Sequence, residues 1–145
     1  MSSLPPTPGT YMLLLQLEAP LRLSVGRLGN VRLEAGLYAY VGSARGPGGL
    51  RARVQRHLRA VKRPHWHIDA LTARAPITAV WWVESSERLE CTWSHTLAAL
   101  PEVHEPVTGF GASDCTCRSH LFRLPAAQLG AAWEALGQPL RMVLK

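Results

Sequence analysis

Cysteine, acidic residues and long apolar runs are all scarce in this 145-residue chain. Its three cysteines cannot all pair with one another, so we expect no secreted disulfide framework and a reducing compartment. Residues 1–8 have neither a basic start nor an apolar stretch, which argues against a signal peptide. The longest apolar stretches fall well short of the roughly 20 residues that cross a bilayer. The sequence therefore predicts a cytoplasmic protein with no membrane partner.

The composition that remains is that of a folded domain with a positive charge. Hydrophobic residues make up 47% of the chain and charged residues 18%, which excludes a disordered tail protein. At this length we expect one domain. Sixteen lysines and arginines against ten acidic residues give a net charge of +6, which favours anionic partners such as nucleic acid.

Hydrophobic periodicity predicts strands first and then strands interleaved with helices. Strands are predicted over residues 10–17, 21–27, 31–34, 37–41, 77–83 and 121–124, and helices over 50–61, 65–73, 125–136 and from an N-cap at 85–86 to about 100. This order indicates an α/β (α+β) fold, in which a small, mainly antiparallel mixed sheet is flanked by helices. The prolines of residues 1–8 indicate a flexible lead-in.

A basic segment lies in the middle of the chain. No acidic residue occurs between Glu34 and Asp69, and seven of the 16 basic residues lie in that gap. Such a block is typical of a surface that contacts a phosphate backbone, although a solvated helix face would look the same. Helical projection places His57 beside the apolar stripe of the predicted helix and Arg53 at its edge, one turn away. Arg56 is projected outward.

Two tyrosine motifs precede the predicted basic helix in the sequence. Gly9-Thr10-Tyr11 opens the first predicted strand, Tyr40-Val41-Gly42 ends a later one, and Arg53 and His57 follow on the predicted helix. In this order and spacing the motifs resemble the signature of the GIY-YIG nucleases. The chain resembles the GIY-YIG-like branch of formerly unknown function, which is sometimes attached to endonuclease III-type repair enzymes. The resemblance covers residues 9–124.

The resemblance implies a nuclease domain over 9–124, with a C-terminal helix and tail over 125–145 packed on the same domain. Its implied activity is metal-dependent hydrolysis of DNA phosphodiester bonds in DNA repair, with DNA and a repair enzyme as partners. In such nucleases a tyrosine helps activate water, an arginine stabilises charge on the phosphate, and a glutamate holds one divalent ion, Mg²⁺ or Mn²⁺. By motif position the catalytic residues are Tyr11, Tyr40, Arg53 and His57, and the metal ligand is Glu90.

The pattern around Glu90 supports that assignment independently. Helical projection places Glu90 beside the buried stripe of its predicted helix, whereas Glu87 points to solvent. One carboxylate, supplemented by phosphate oxygens and waters, suits Mg²⁺ because this ion keeps several of its waters.

The chain departs from the nuclease pattern at two positions. Many such enzymes carry a basic residue directly after the second tyrosine motif, where this chain has Ser43, and many use a late asparagine, whereas the single asparagine here is Asn30. Asp114 or His120 could fill the late position. A non-catalytic nucleic-acid-binding module on the same scaffold is therefore the alternative. In either case nucleic-acid binding is expected from Ser43, Arg45, Arg51 and Arg56.

Cysteine and histidine cluster late in the sequence. Cys115-x-Cys117-x-x-His120 offers zinc ligands, but this is not the usual knuckle spacing and a fourth ligand must come from afar. Buried thiols with a hydrogen-bonded histidine are the simpler interpretation, so zinc is not expected, and a zinc-stabilised interaction domain is a third hypothesis. The histidines near Asp69 could bind phosphate, position water or form a buried network. The accessory candidates are His65, His67, Asp69, Asp114, Cys115, Cys117 and His120.

Overall fold

A computed structural model describes residues 4–59, 66–111 and 117–144. Its strands are β1 (Gly9–Leu17), β2 (Leu21–Val25), β3 (Gly29–Leu33), β4 (Gly36–Ala44), β5 (Ile77–Glu84), β6 (Leu121–Leu124) and β7 (Leu140–Val143). Its α-helices are α1 (Gly49–Leu58), α2 (Ile68–Thr72), α3 (Glu90–Ala98) and α4 (Leu129–Ala135), with single 3₁₀ turns at Gly26–Leu28 and Ala126–Gln128. None of the described helices combines the length and apolarity that crossing a bilayer requires.

Five strands form the main sheet in the order β6-β4-β1-β5-β7, and β2 and β3 form a separate two-stranded ribbon. Every strand pairing within the described residues is antiparallel, so the predicted mixed sheet is antiparallel in this part of the chain. The predicted α+β class, with a small sheet flanked by helices, is confirmed. The centre of the sheet is β1, whose nearly continuous apolar sequence matches burial on both of its faces.

Side chains alternate along β1 between two cores, one on each side of the sheet. On one side, here called the α1 face, Leu13 packs in a cluster that includes Leu50 of α1. On the opposite side, the α3 face, Met12 packs in a cluster that includes Trp93 of α3. Helices on both faces therefore cover the central strands.

Several predicted boundaries are wrong. Helix α3 begins at Glu90 rather than after residues 85–86, because the Ser85 hydroxyl accepts the Glu87 N–H at 3.0 Å and closes a turn instead. Leu58 belongs to the apolar stripe of the helix predicted over 50–61, which implies a buried position, but it is 41% exposed at the end of α1. Strand β7 was not predicted at all.

The described part of the predicted flexible lead-in is held against the start of α1. The Leu50 N–H donates to the carbonyl of Thr7 at 2.9 Å, and the Arg51 N–H donates to the carbonyl of Pro5 at 3.0 Å. Helix α1 has no side-chain cap. These two carbonyls therefore satisfy amides that a capping side chain would otherwise serve.

Candidate active site

The register of the central strands brings the two motif tyrosines together. Tyr11 of β1 lies opposite Gly42, and Tyr40 of β4 lies opposite Leu13, so both rings project from the α1 face near the same end of the sheet. A Cβ atom at Gly42 would collide with the Tyr11 ring. A Cβ at Gly111, where φ is +70°, would lie 2.8 Å from Tyr40 Cε1. Glycines therefore make room for both rings.

A cavity of about 410 Å³ opens where these tyrosines meet α1, α3 and the segments that flank them. Most of the side chains around it are polar or charged. Its lining residues are Tyr11, Tyr40, Ser43, Arg45, Arg53, Trp66, His67, Arg88, Glu90 and Gly111.

Tyr11 is buried at the wall of this cavity, with a relative exposure of 1%. Its hydroxyl forms a hydrogen bond of 2.7 Å with Nε2 of His57, which is also buried. Burial raises the Tyr11 pKa far above its ordinary value, and the positive charge and hydrogen bond of Arg53 lower it only in part. Tyr11 is therefore a neutral phenol at physiological pH, and its hydroxyl is hydrogen-bonded to His57.

Tyr40 is held by ring contacts on two sides. Its ring meets those of His57 and Phe110 edge-on, with centroids 6.3 and 6.2 Å apart. Burial raises the Tyr40 pKa well above its ordinary value, and the nearby Tyr11 and Glu90 raise it further. Tyr40 thus also stays protonated and can act only as a neutral hydrogen-bonding group.

Arg53 reaches the cavity from α1 in a fixed orientation. Its Nη1 donates to the carbonyl oxygen of Ser43 at 2.8 Å, and its guanidinium carbon lies 4.4 Å from the centroid of the Trp66 ring. A cation over an indole ring is favourable by about 0.5–2 kcal/mol. The hydroxyl oxygen of Ser43 is buried and has no hydrogen-bond partner among the described residues.

Glu90 is the first residue of α3, and its side chain is 16% exposed. Nη2 of Arg88 lies 3.4 Å from Oε1 of Glu90. No second carboxylate lines the cavity in the part of the chain that the structure describes. A single partly accessible carboxylate fits an ion that keeps most of its water ligands, as Mg²⁺ does.

Two of the arginines predicted to bind nucleic acid have partners within the protein instead of lining the cavity. Arg51 donates from Nε to the carbonyl of Leu4 at 2.9 Å. Arg56, projected outward from sequence, is partly buried and forms a two-pronged ion pair with Asp69, with both hydrogen bonds at 3.0 Å. Asp69 also accepts the Trp66 N–H at 2.9 Å, so this pair joins α1 to α2.

The remaining accessory residues divide into three groups. His67 lines the cavity and accepts the Gly111 N–H at Nδ1, at 2.8 Å, so it positions the loop beside Tyr40. Cys117 forms a disulfide with Cys91, whereas buried thiols were expected. His120 is buried outside the cavity lining. His65, Asp114 and Cys115 lie outside the described residues.

Besides Gly111, the cavity has two lining residues that were not among the candidates from sequence. Arg88 stands two positions before Glu90. This closeness in sequence to a candidate metal ligand could have pointed to Arg88 as a cavity residue. Trp66 lies within residues 9–124, which the resemblance covers, but its contact with Arg53 depends on how α1 packs against the segment that leads into α2. Periodicity along one element could not have predicted that contact.

A family model described as "Domain of unknown function DUF123" matches residues 10–140. This match spans every described residue that lines the cavity. No curated protein and no solved structure gives a significant match to the chain.

Proposed function

Because the chain belongs to the family of the domain of unknown function DUF123, its activity has to be argued from its own site, and we propose a metal-dependent endonuclease of the GIY-YIG type that hydrolyses DNA phosphodiester bonds. The observation that carries the proposal is the convergence of Tyr11, Tyr40, Arg53 and Glu90 on one cavity. These residues come from β1, β4, α1 and α3, which are distant in the sequence.

The charges around the cavity favour an anionic substrate. Three arginines, at positions 45, 53 and 88, face a single carboxylate in its lining. Arg45 is exposed and donates from Nη1 to the Ser86 carbonyl at 2.8 Å, which holds its guanidinium at the rim. Planar guanidinium groups match phosphate oxygens in geometry and charge. In the proposed function Arg53 stabilises the charge that develops on the phosphate, while Arg45 and Arg88 bind flanking phosphates.

Water is activated through a proton relay rather than by a phenolate. A neutral Tyr11 cannot take a proton from water unless it releases its own, and the hydroxyl contacts His57 Nε2 at 2.7 Å. In the relay, Tyr11 accepts a proton from the attacking water and passes its own proton to His57. Tyr40 orients the water or a phosphate oxygen as a hydrogen-bond donor. General acid–base help of this kind contributes about 10²–10⁴-fold to a rate.

Mg²⁺ or Mn²⁺ would be held by Glu90, and the ion would supply Lewis-acid stabilisation of the phosphate and of the leaving oxygen. Arg88 lies 3.4 Å from the Glu90 carboxylate and its side chain is 58% exposed, so it would exchange this contact for a flanking phosphate when the ion binds. The arrangement leaves room for substrate oxygens and waters around a single protein ligand.

The test is a cleavage assay on duplex, nicked, flapped, branched and single-stranded DNA, with Mg²⁺ and with Mn²⁺. Wild type should cut at least one of these forms, and Glu90→Ala and Arg53→Ala should each abolish cutting. The matched controls are Glu87→Ala, an exposed glutamate just before α3, and Arg22→Ala, an exposed arginine on β2. Both controls should cut at the wild-type rate.

Equal cutting by wild type and Glu90→Ala would refute the metal assignment, provided that circular dichroism shows both proteins folded. If the wild type cuts none of the DNA forms but binds them, the non-catalytic nucleic-acid-binding module becomes the better description. That alternative is favoured by Ser43, which stands where many related enzymes carry a basic residue. It predicts binding that weakens with salt, with a log–log slope of about −0.9 per phosphate contact on duplex DNA.

A role in DNA repair, a repair-enzyme partner and a cytoplasmic location remain parts of the proposal. They rest on the resemblance and on the composition of the chain. The substrate panel bears on the first of them, since preferential cutting of nicked, flapped or branched DNA is the behaviour expected of a repair nuclease.

A further inference from the structure

A second chemical cluster lies apart from the cavity. Cys91 of α3, Cys117 and His120 present their sulfur and ring-nitrogen ligand atoms within 4.8 Å of one another. Cys117 and His120 are buried, and Cys91 is partly buried. It is the one group of three metal-binding side chains found among the described residues. The proposed nuclease mechanism uses none of them.

These ligand types are those that zinc selects. Zinc binds cysteine sulfur at about 2.3 Å and histidine nitrogen at about 2.0–2.1 Å in a tetrahedron. Ligand atoms on such a tetrahedron are about 3.5–3.8 Å apart by that geometry. The three ligand atoms lie within 4.8 Å of one another, so once the bond between Cys91 and Cys117 is reduced, the two sulfurs must move apart around the ion by side-chain movements.

The histidine is already oriented as a metal ligand would be. Nδ1 of His120 forms a buried hydrogen bond of 2.6 Å with the hydroxyl of Ser94, which belongs to the same helix as Cys91. Metal-binding histidines generally use one ring nitrogen for such a partner, which fixes the ring and leaves the other nitrogen for the ion. Ser94 thus fixes the ring of His120 beside the two sulfurs.

We propose that Cys91, Cys117 and His120 form a zinc-binding site when the two cysteines are reduced. The sequence alone made zinc unexpected because a further ligand had to come from a distant segment, and the fold supplies Cys91 as that ligand. The three side chains leave a fourth position on the ion for an exogenous ligand such as water. The proposal does not rest on nuclease activity.

The disulfide between Cys91 and Cys117 and the zinc-bound state exclude each other. A dithiol reductant would supply two electrons and two protons to the disulfide, giving two thiols, and would itself become a disulfide. Zinc then displaces one proton from each thiol as the two sulfur–metal bonds form. Each state joins the start of α3 to the segment before β6, and that start also carries Glu90.

The test uses the full chain without DNA. The protein is reduced with a phosphine, which becomes a phosphine oxide by taking oxygen from water, and after its removal the protein is titrated anaerobically with Co²⁺ and then with Zn²⁺. Cobalt should give thiolate-to-metal charge-transfer absorption and the intense visible bands of a tetrahedral site. One equivalent of zinc should remove these bands, and the protein with its disulfide closed should show none.

Variants identify the ligands. Cys91→Ser should lose at least half of the charge-transfer absorption because one of the two thiolates is gone, and Ser94→Ala should weaken zinc binding by about 10–100-fold because the histidine loses its orienting partner. His95→Ala is the matched control, since it removes an exposed histidine from the same helix and should bind as wild type does.

Two results would overturn the site. One is reduced wild-type protein that binds less than about a tenth of an equivalent of zinc and gives no charge-transfer absorption. The other is charge-transfer absorption in Cys91→Ser that is as intense as in the wild type. The first result needs no variant, so it decides the matter even if Cys91→Ser does not fold. Loss of cleavage on Glu90→Ala has no bearing on either result, which keeps this proposal separable from the nuclease.

Discussion

The two faces of the five-stranded sheet bury different chemistry. The α1 face holds three buried tyrosines, two of which form the wall of the cavity, together with the buried groups His57 and Asp69. The core of the α3 face includes Met12, Trp81 and Phe122, packed under α3 and α4. Burying polar groups costs free energy unless they are hydrogen-bonded, and such costs are typical of functional sites. The α1 face holds the larger of the two apolar clusters as well as the tyrosines of the cavity, whereas the cluster of the α3 face contributes packing alone.

The largest effect is expected from truncation on the α3 face. Phe122 is fully buried there, so Phe122→Ala should lower the free energy of unfolding by about 3–5 kcal/mol. Urea unfolding of the variant and the wild type measures this loss. A loss below about 1 kcal/mol would break the comparison, because the α3 face would then carry less stability than its packing implies.

A glycine-to-alanine pair should give changes of opposite sign on the two faces. Gly42→Ala places a methyl group against the Tyr11 ring, so we expect a loss of about 1–3 kcal/mol and displacement of that ring from the cavity. Gly130, in α4, has open space at its Cβ position, and Gly130→Ala should stabilise the helix by up to about 1 kcal/mol. Thermal unfolding measures both variants. If Gly42→Ala leaves the free energy of unfolding unchanged, the Tyr11 ring can move aside at no cost, which would contradict the close packing.

Alkaline pH should lower the stability of the protein through the buried tyrosines of the α1 face. The folded-state pKa values of Tyr11 and Tyr40 lie above the unfolded value of about 10, so their contribution is fully present below pH 10. As pH rises above 10, the unfolded chain loses phenolic protons that the folded protein retains, and stability falls. The loss is up to about 1.4 kcal/mol per pH unit for each of these two tyrosines. Denaturant unfolding between pH 9 and 11.5, roughly, tests this, together with tyrosinate absorbance. Ionisation of all tyrosines near pH 10 in the folded protein would contradict it.

Removal of the Tyr11 hydroxyl should change the stability only slightly but should greatly slow DNA cleavage. Tyr11→Phe removes the hydrogen bond to His57 and should cost only about 0.5–1.5 kcal/mol, while slowing cleavage by about 10²–10⁴-fold. Tyr38→Phe is the matched control, because the Tyr38 hydroxyl donates to the Glu34 carbonyl and does not line the cavity. It should cost a similar free energy without affecting cleavage. If Tyr11→Phe and Tyr38→Phe cleave DNA at equal rates, the proposed proton relay from Tyr11 to His57 is wrong.

Sequence pattern was most informative where an element has strong periodicity. The prediction over 121–124 coincides with β6, and that over 77–83 differs from β5 by one residue. Strand β7 escaped prediction because three of its four residues are exposed, so it carries no alternation of buried and exposed positions. The start of α3 was misplaced because a serine that closes a turn and one that caps a helix look the same in sequence.

The site was predictable only in part, for a different reason. Helical projection correctly placed His57 against the core, since it depends on one helix alone. The approach of Tyr11 to Tyr40 depends on strand register, and the pairing of Arg56 with Asp69 depends on how two helices pack. No spacing along the chain specifies such contacts between elements. The resemblance supplied the tyrosine and glutamate candidates, and it could not supply Arg88.

The contact between the N-terminal segment and α1 has a consequence for where the domain can be cut. The carbonyls of Pro5 and Thr7 accept the first amides of the helix that carries Arg53 and His57. A shortened protein that begins at Gly9 would retain both tyrosine motifs and would nevertheless leave those amides without their acceptors. Limited proteolysis between residues 5 and 9 should therefore destabilise helix α1 before it disturbs the sheet. The boundary of the folded unit lies ahead of its first motif.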